Sequence, residues 1–226
     1  MSGLYLYALV DEEPAHPLGH GLAGEVLRLV RSGGILAVAG EREARPAPGV
    51  HAFSHHDGIV RRLAGEVPAL LPARFGEWFP DEASLLAKLA PRIEELGEAL
   101  ELVRGSVQMT LRVFGEAAVP PPGSVVEESC LGPGARYLAE RRREHERERA
   151  LPEIDPLREI LAPHLRAEKT ERRGAPPLLG TAYHLVLRDH LAGYRAALER
   201  GCGELSVNVQ PSGPWPPYAF APGATP

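Results

Sequence analysis

Cysteine is scarce: Cys130 and Cys202 are the two in 226 residues. That is too few for a disulfide framework, so both read as reduced, structural thiols. No run approaches the roughly 20 uncharged apolar residues that a bilayer span needs, which excludes a transmembrane helix and a membrane role built on one. The start, Met1-Ser2-Gly3-Leu4-Tyr5, lacks a basic segment ahead of an apolar one, so a cytoplasmic protein is expected rather than a secreted one. A basic excess is missing too. Lys and Arg number 25 against 30 Asp and Glu, a net charge of -5, which argues against a general nucleic-acid binder. Glycine and proline are plentiful instead, 24 and 23 residues, so turns and fixed bends punctuate the chain. An apolar fraction of 44% is enough for a buried core.

The pattern of elements predicts an α+β fold of two small, ferredoxin-like sandwich domains, helices covering one face of each mostly antiparallel sheet. Leu4 to Val10 is a short apolar strand. A Gly- and His-rich loop follows from Asp11 to Gly24. Val26 to Val30 and Gly34 to Val38 flank Ser32-Gly33-Gly34 as a hairpin. Ser54 is the expected cap of a helix carrying Ile59, Val60 and Leu63. Leu71 to Gly76 reads as a strand, with Pro72 suited to a strand start or an edge. Asp81 caps a long segment whose stripe is Leu85, Leu89, Ile93, Leu96, Leu100 and Val103, kinked or split at Pro91. From Ser106 the period becomes two, predicting a half-buried strand with Val107, Met109, Leu111 and Val113 inward. The proline-rich stretch between Gly115 and Gly134 is the expected boundary, giving domains 1–118 and 119–210 and an extended tail 211–226. The second domain should hold a charged helix at Tyr137 to Ala150 and another to Arg166. A polar stretch from Lys169 to Pro177, a strand at Leu178 to Leu187, a helix capped by Asp189 and a strand at Glu204 to Gln210 complete it.

Few residues suggest chemistry. His51 and His55 stand four apart with His56 beside them, a spacing that can place two imidazoles on a helix face. No full ligand set accompanies them, and exposed or capping histidines are the plainer reading. Gly19-His20-Gly21-Leu22-Ala23-Gly24 matches G-x-G-x-x-G without a βαβ frame, so it reads as a connector. The mixed-sign run Glu140 to Arg149 is a solvated helix surface. No catalytic, cofactor-binding or metal-binding residue is expected. The rival class is an enzyme or binder holding haem or a small molecule on a ferredoxin-like fold.

Two segments stand apart. Leu71-Pro72-Ala73-Arg74-Phe75-Gly76-Glu77-Trp78-Phe79-Pro80 gathers three aromatics and an arginine. Gly213-Pro214-Trp215-Pro216-Pro217-Tyr218-Ala219-Phe220 gathers three more, held extended by its prolines. Either is an internal clamp or a surface for another chain. The candidate partner-binding or interdomain residues are therefore Arg74, Phe75, Trp78, Phe79, Trp215, Tyr218 and Phe220.

The same two segments resemble the gas vesicle protein GvpF/GvpL family, with its Leu-Pro-x-Arg-Phe-Gly element and Gly-Pro-Trp-Pro-Pro-Tyr-x-Phe ending. The Leu4 to Val10 strand, the strand from Val107 to Phe114 and Gly134-Ala135-Arg136-Tyr137-Leu138 are similar to it as well. The resemblance implies two α+β domains with a C-terminal tail and a non-catalytic, accessory role in gas vesicles. Its implied partners are the hydrophobic main shell protein, kept from aggregating while shells nucleate, and other gas vesicle accessory proteins. It implies no cofactor.

Overall fold

The computed structural model describes residues 2–116, 150–173 and 176–223. The fold divides into two compact units. The first comprises 1–108, 185–188 and 214–226, and the second 109–184 and 189–213. The expected charged helix 137–150 lies in all but its last residue outside the described residues, as do Cys130 and the expected boundary at 118/119.

The first sheet is built around β1 (Gly3–Val10), every residue of which is buried. Strands β2 (Leu27–Ser32) and β3 (Ile35–Arg42) form the expected hairpin. Its turn needs Gly33, whose φ is +59°, a conformation only glycine adopts at little cost. β3 pairs antiparallel with β1, with a register shift between Leu6 and Ala8. The other side of β1 takes two short pieces in line, β4 (Leu70–Pro72) and β5 (Trp78–Phe79). The path is β2-β3-β1-β4, with β5 also on β1. Pro72 thus sits on an edge strand, where its missing N–H removes nothing from the sheet.

Helix α1 (Val50–Glu66) buries His56, Ile59, Val60 and Leu63 in one cluster with Tyr5, Tyr7, Val10, Leu36, Val38 and Leu70. It starts four residues before the predicted Ser54, with Gly49 as N-cap and no side-chain cap bond. The Pro46-Ala47-Pro48-Gly49 stretch, which disfavours helix, sets that start. Asp81 does cap as expected: its Oδ1 accepts from Ser84 N–H at 2.7 Å. The stripe it begins is split at Pro91 into α2 (Glu82–Leu89) and α3 (Ile93–Val103), joined by a 3-10 turn. α2 packs on β1 and β2, and α3 on β3 and β4. The expectation of helices on one face is corrected here. Complete burial of β1 requires cover on both sides, and α1 supplies one while α2 and α3 supply the other.

The second sheet has the order β7-β8-β6-β9, from β6 (Ser106–Phe114), β7 (Leu165–Arg172), β8 (Leu178–Leu187) and β9 (Asn208–Trp215). Both sheets are antiparallel, and the α+β class is as predicted. β6 departs from the half-buried expectation, since Gln108 and Thr110 on its polar side are 5% and 8% exposed. An inner strand covered on both faces explains it. β7 replaces part of the helix, with the loop, expected between 151 and 177. Its charged residues suit the edge position it holds, where charge deters pairing with a further strand. α4 (Asp155–Leu161) and α5 (Leu191–Cys202) pack together. Their approach depends on Gly201, where an added Cβ would meet Leu157 Cδ1 at 2.5 Å. Gly201 is therefore a helix-contact residue, not the helix end. The expected Asp189 cap is replaced by His190, without a side-chain bond, as N-cap of α5. β9 begins four residues later than predicted and runs across the expected 210/211 boundary.

Candidate functional site

Residues 73–77, the loop between β4 and β5, carry the centre of the first aromatic element. Backbone bonds hold both ends to β1: Ala73 N–H donates to Tyr7 O and Leu6 N–H to Glu77 O, each at 2.9 Å. Side chains hold its middle. Gly76 N–H donates to Tyr5 Oη at 3.1 Å, and Tyr5 O–H lies 3.0 Å from His56 Nδ1. On the other ring nitrogen, His56 Nε2 lies 3.2 Å from Ala73 O. A carbonyl can only accept, so Nε2 carries the hydrogen and Nδ1 accepts from Tyr5. The loop is thereby tied at Ala73 and Gly76 to one relay through Tyr5 and His56. Gly76 has φ +91°, which is what turns its N–H toward the tyrosine.

Burial lowers the pKa of His56, against the pull of its bond to Ala73 and of Asp57 nearby. A neutral imidazole is the form the relay requires. At 3% exposure, His56 corrects the reading of an exposed or capping residue. His51 and His55 are exposed as expected. Among the described residues no group of three or more His, Cys, Asp or Glu could hold a metal ion.

The relay presents Phe75. Its half-buried ring lies 4.5 Å from Phe53, 5.7 Å from His56 and 6.3 Å from Tyr5, all edge-on. Such geometry adds about 0.5–1.5 kcal/mol per pair beyond burial. Phe53 and Val50 remain 47% and 84% exposed. Arg74 is exposed and its guanidinium donates to Gly223 O. Trp78 lies opposite Tyr5 in β5, and Phe79 opposite Leu4. Trp78 Nε1–H donates to Arg42 O at 3.3 Å. Its ring explains Gly3, where a Cβ would stand 2.4 Å from Trp78 Cζ2.

The C-terminal element belongs to the same unit from Pro214 onward. Trp215 lies under the Arg61 guanidinium, 4.1 Å from its carbon to the ring centroid. Tyr218 O–H donates to Asp57 Oδ1 at 3.0 Å, and Arg61 pairs with Asp57 at 2.5 Å. Burial, with the Asp57 carboxylate beside it, pushes the Tyr218 phenol well up. Ala219 N–H donates to Gln108 Oε1 at 2.8 Å, which accounts for that burial on β6. Phe220 is 3% exposed. The 3-10 turn Tyr218–Phe220 also packs on β4. Phe75 and Tyr218 thus lie against the α1 side of the first sheet, and Phe220 in the core.

The Gly19–Gly24 segment is a fixed connector. Arg62 donates to Leu18 O and His20 O, and Gly21 N–H donates to Glu25 O at 2.8 Å. The Glu25 carboxylate returns to accept from Tyr7 O–H at 2.5 Å and from Ala23 N–H at 2.7 Å. An open cleft of about 610 Å³ beside it is lined by Glu25, Glu41, Glu43, Arg42 and Arg45 among others. Within it Arg42 Nη1 lies 3.8 Å from Glu25 Oε1, and Arg42 Nε and Nη1 are buried without a hydrogen-bond partner among the described residues. In the second unit, a second buried histidine, His184, takes Tyr194 Oη at 2.8 Å from Nδ1. Burial pushes the Cys202 thiol up, consistent with a structural thiol rather than a nucleophile.

By fold, this is a member of a defined structural class of α+β proteins. The crystal structure of the gas vesicle protein GvpF from Anabaena sp. PCC7120 superposes with a TM-score of 0.72 over 98% of both chains, at 16% identity. That of GvpF from Microcystis aeruginosa gives 0.72 over 97% of this chain and 98% of the other, at 15% identity. The chain belongs to the family described as gas vesicle synthesis protein GvpL/GvpF, whose profile matches residues 3–222. Among named relatives, gas vesicle protein L of Streptomyces sp. (strain CB03234) is 28% identical, spanning 96% of this chain and 92% of that one. Gas vesicle protein F of the same strain is 26% identical, over 96% and 98%. Among the described residues no helix is long and apolar enough to cross a membrane.

Proposed function

We propose that this gas-vesicle-associated protein is an accessory component that binds the hydrophobic main shell protein, keeps it from aggregating and assists shell nucleation. Membership of the family over nearly the whole chain supports the setting. The observation that carries the rest is the immobilised 73–77 loop, which sets Phe75 against the exposed Phe53. A water-excluding shell needs subunits with a strongly apolar face, and such a face must be covered before assembly. A rigid aromatic surface does this at little cost in conformational entropy. The action is binding and no substrate is transformed. Other gas vesicle accessory proteins are further partners, and the working location is the gas vesicle and the cytosol around it.

Co-expression of the full chain with the main shell protein, followed by affinity capture, tests this reading. Retention of the shell protein in near-stoichiometric amount is expected. Its absence from the captured complex, while both proteins are present in the cell, overturns the reading.

A further inference from the structure

Two buried polar groups remain without a role, His184 and Arg42. His184 Nε2 has no hydrogen-bond partner among the described residues, but the residue is 0% exposed, sealed inside the second unit. Arg42 differs, because it lines an open cleft of about 610 Å³. The residue ends β3, and its side chain is 18% exposed. Glu25, the acid paired with it, stands with Oε1 3.8 Å from Arg42 Nη1, beyond hydrogen-bond reach. Two bonds hold that carboxylate in place: Oε1 accepts from Tyr7 O–H at 2.5 Å and Oε2 from Ala23 N–H at 2.7 Å. The Arg42 backbone is fixed as well, its carbonyl accepting from Trp78 Nε1–H at 3.3 Å. Arg42 is therefore anchored beside a space that solvent reaches, with Nε and Nη1 short of acceptors, a costly condition for a charged group.

The rest of the cleft narrows what can supply an acceptor. Its charged lining is Glu25, Glu41 and Glu43 with Arg42 and Arg45, and Arg28 pairs with Glu41 at 3.8 Å. Three acids thus face three bases, with no surplus of positive charge. A dianion such as phosphate would meet Glu25 and Glu43 uncompensated, whereas a single negative charge needs only the guanidinium. A carboxylate also matches the planar guanidinium, which can offer it two parallel N–H groups. The remaining walls are small, Ala23, Gly24, Ala44, Pro46 and Ala47, and leave room for the methylene groups that carry such an acid.

We infer that this cleft is a binding site for a single carboxylate, held by the Arg42 guanidinium between residues 23–25 and residues 43–47. The carboxylate is that of a small organic acid or of an Asp or Glu side chain on a polypeptide, two carriers with the same chemistry at Arg42.

The test follows the Nε–H resonance of Arg42 in the full chain labelled with heavy nitrogen, identified as the one lost in Arg42→Lys. The probes are propionate, the blocked peptide N-acetyl-Ala-Glu-Ala-amide, its Gln counterpart and inorganic phosphate. The resonance should move and saturate with the carboxylates. The Gln peptide should bind about tenfold more weakly than the Glu peptide, because it cannot form the charge-assisted pair. Arg42→Gln and Arg42→Lys should weaken carboxylate binding by a similar factor, since the lysine keeps the charge without the fork. Glu25→Gln removes the competing charge and should strengthen binding several-fold. A Glu peptide about tenfold tighter than propionate assigns the site to a polypeptide, and one no tighter assigns it to a free acid. An Arg42 resonance that stays still with both carboxylates overturns the site. So does phosphate binding as tightly as propionate, or a folded Arg42 variant that binds as the parent does. If neither Arg42 variant folds, the response of the parent to Glu25→Gln and to the four probes decides. No shell protein enters the measurement, so the proposed function stands or falls separately.

Discussion

At the scale of single residues, the geometry rests on His56. Its two ring nitrogens satisfy Tyr5 O–H and Ala73 O inside the core, so His56→Leu removes the acceptor of the Tyr5 hydroxyl hydrogen and the His56 donor to Ala73 O, while Tyr5 Oη still accepts from Gly76 N–H. A loss of about 2–3 kcal/mol in urea unfolding is expected from the two lost buried hydrogen bonds. Acid should act on the same relay. The folded His56 resists protonation, while the unfolded chain takes the proton near its ordinary pKa of about 6.5. Unfolded chain therefore binds more protons below that pH, and folding stability falls as pH drops from about 6.5 toward the lower folded value. Above about pH 6.5 this contribution is flat. A pH series of unfolding free energies should show the decline in the parent and lose that part of it in His56→Gln. Gly76 is the partner position: at φ +91°, Gly76→Ala should cost about 1–2 kcal/mol. The sequence carried a trace of the buried histidine. His56, Ile59, Val60 and Leu63 keep helical spacing once the helix starts at Val50. Starting it at Ser54 put His56 outside the stripe. What no local pattern holds is the pair of distant partners, 51 and 17 residues away.

At the scale of elements, the two aromatic segments were legible as unusual, and their partners were not. Leu71 to Gly76 read as one strand, yet only its first two residues pair, in β4; Gly76 and the relay hold 73–77 as a loop, and β5 resumes on the same strand β1. The Pro-rich ending read as an extended tail from 211 onward, either an internal clamp or a surface for another chain, and Pro211 and Pro214 lie within β9, at the sheet edge where proline is tolerated. Cutting after Gln210 would remove most of that strand and the buried Phe220, so point variants are the cleaner probe of the tail. A double-mutant cycle on Arg61→Ala and Trp215→Ala should give a coupling of about 0.5–1 kcal/mol, the size of a partly exposed cation–π contact. Tyr218→Phe should cost about 1 kcal/mol through the lost bond to Asp57. In the second unit, Gly201→Val should clash with Leu157 and Ile160 and lower stability by about 1–3 kcal/mol. Thermal or urea unfolding reads each of these. β7 shows the limit of period reading. Its residues Leu165–Arg172 are mostly charged, and a charged edge strand looks like a loop until its neighbour is known.

At the scale of the molecule, the α+β class follows from element types that the sequence displays, strands of period two and helices of period near 3.6. Helical cover on both faces of the first sheet was less visible, although β1 is a continuous apolar run, the pattern of a strand buried on both sides. Shielding of the shell protein follows only if the aromatic surface around Phe75 engages it before it associates with itself. The most direct test is sedimentation of the main shell protein diluted from denaturant, with and without an equimolar amount of the full chain. The chain should hold a large share of the shell protein in the supernatant as a defined complex, while an unrelated protein of similar size and charge does not. Equal pelleting in the presence and absence of the chain would contradict it.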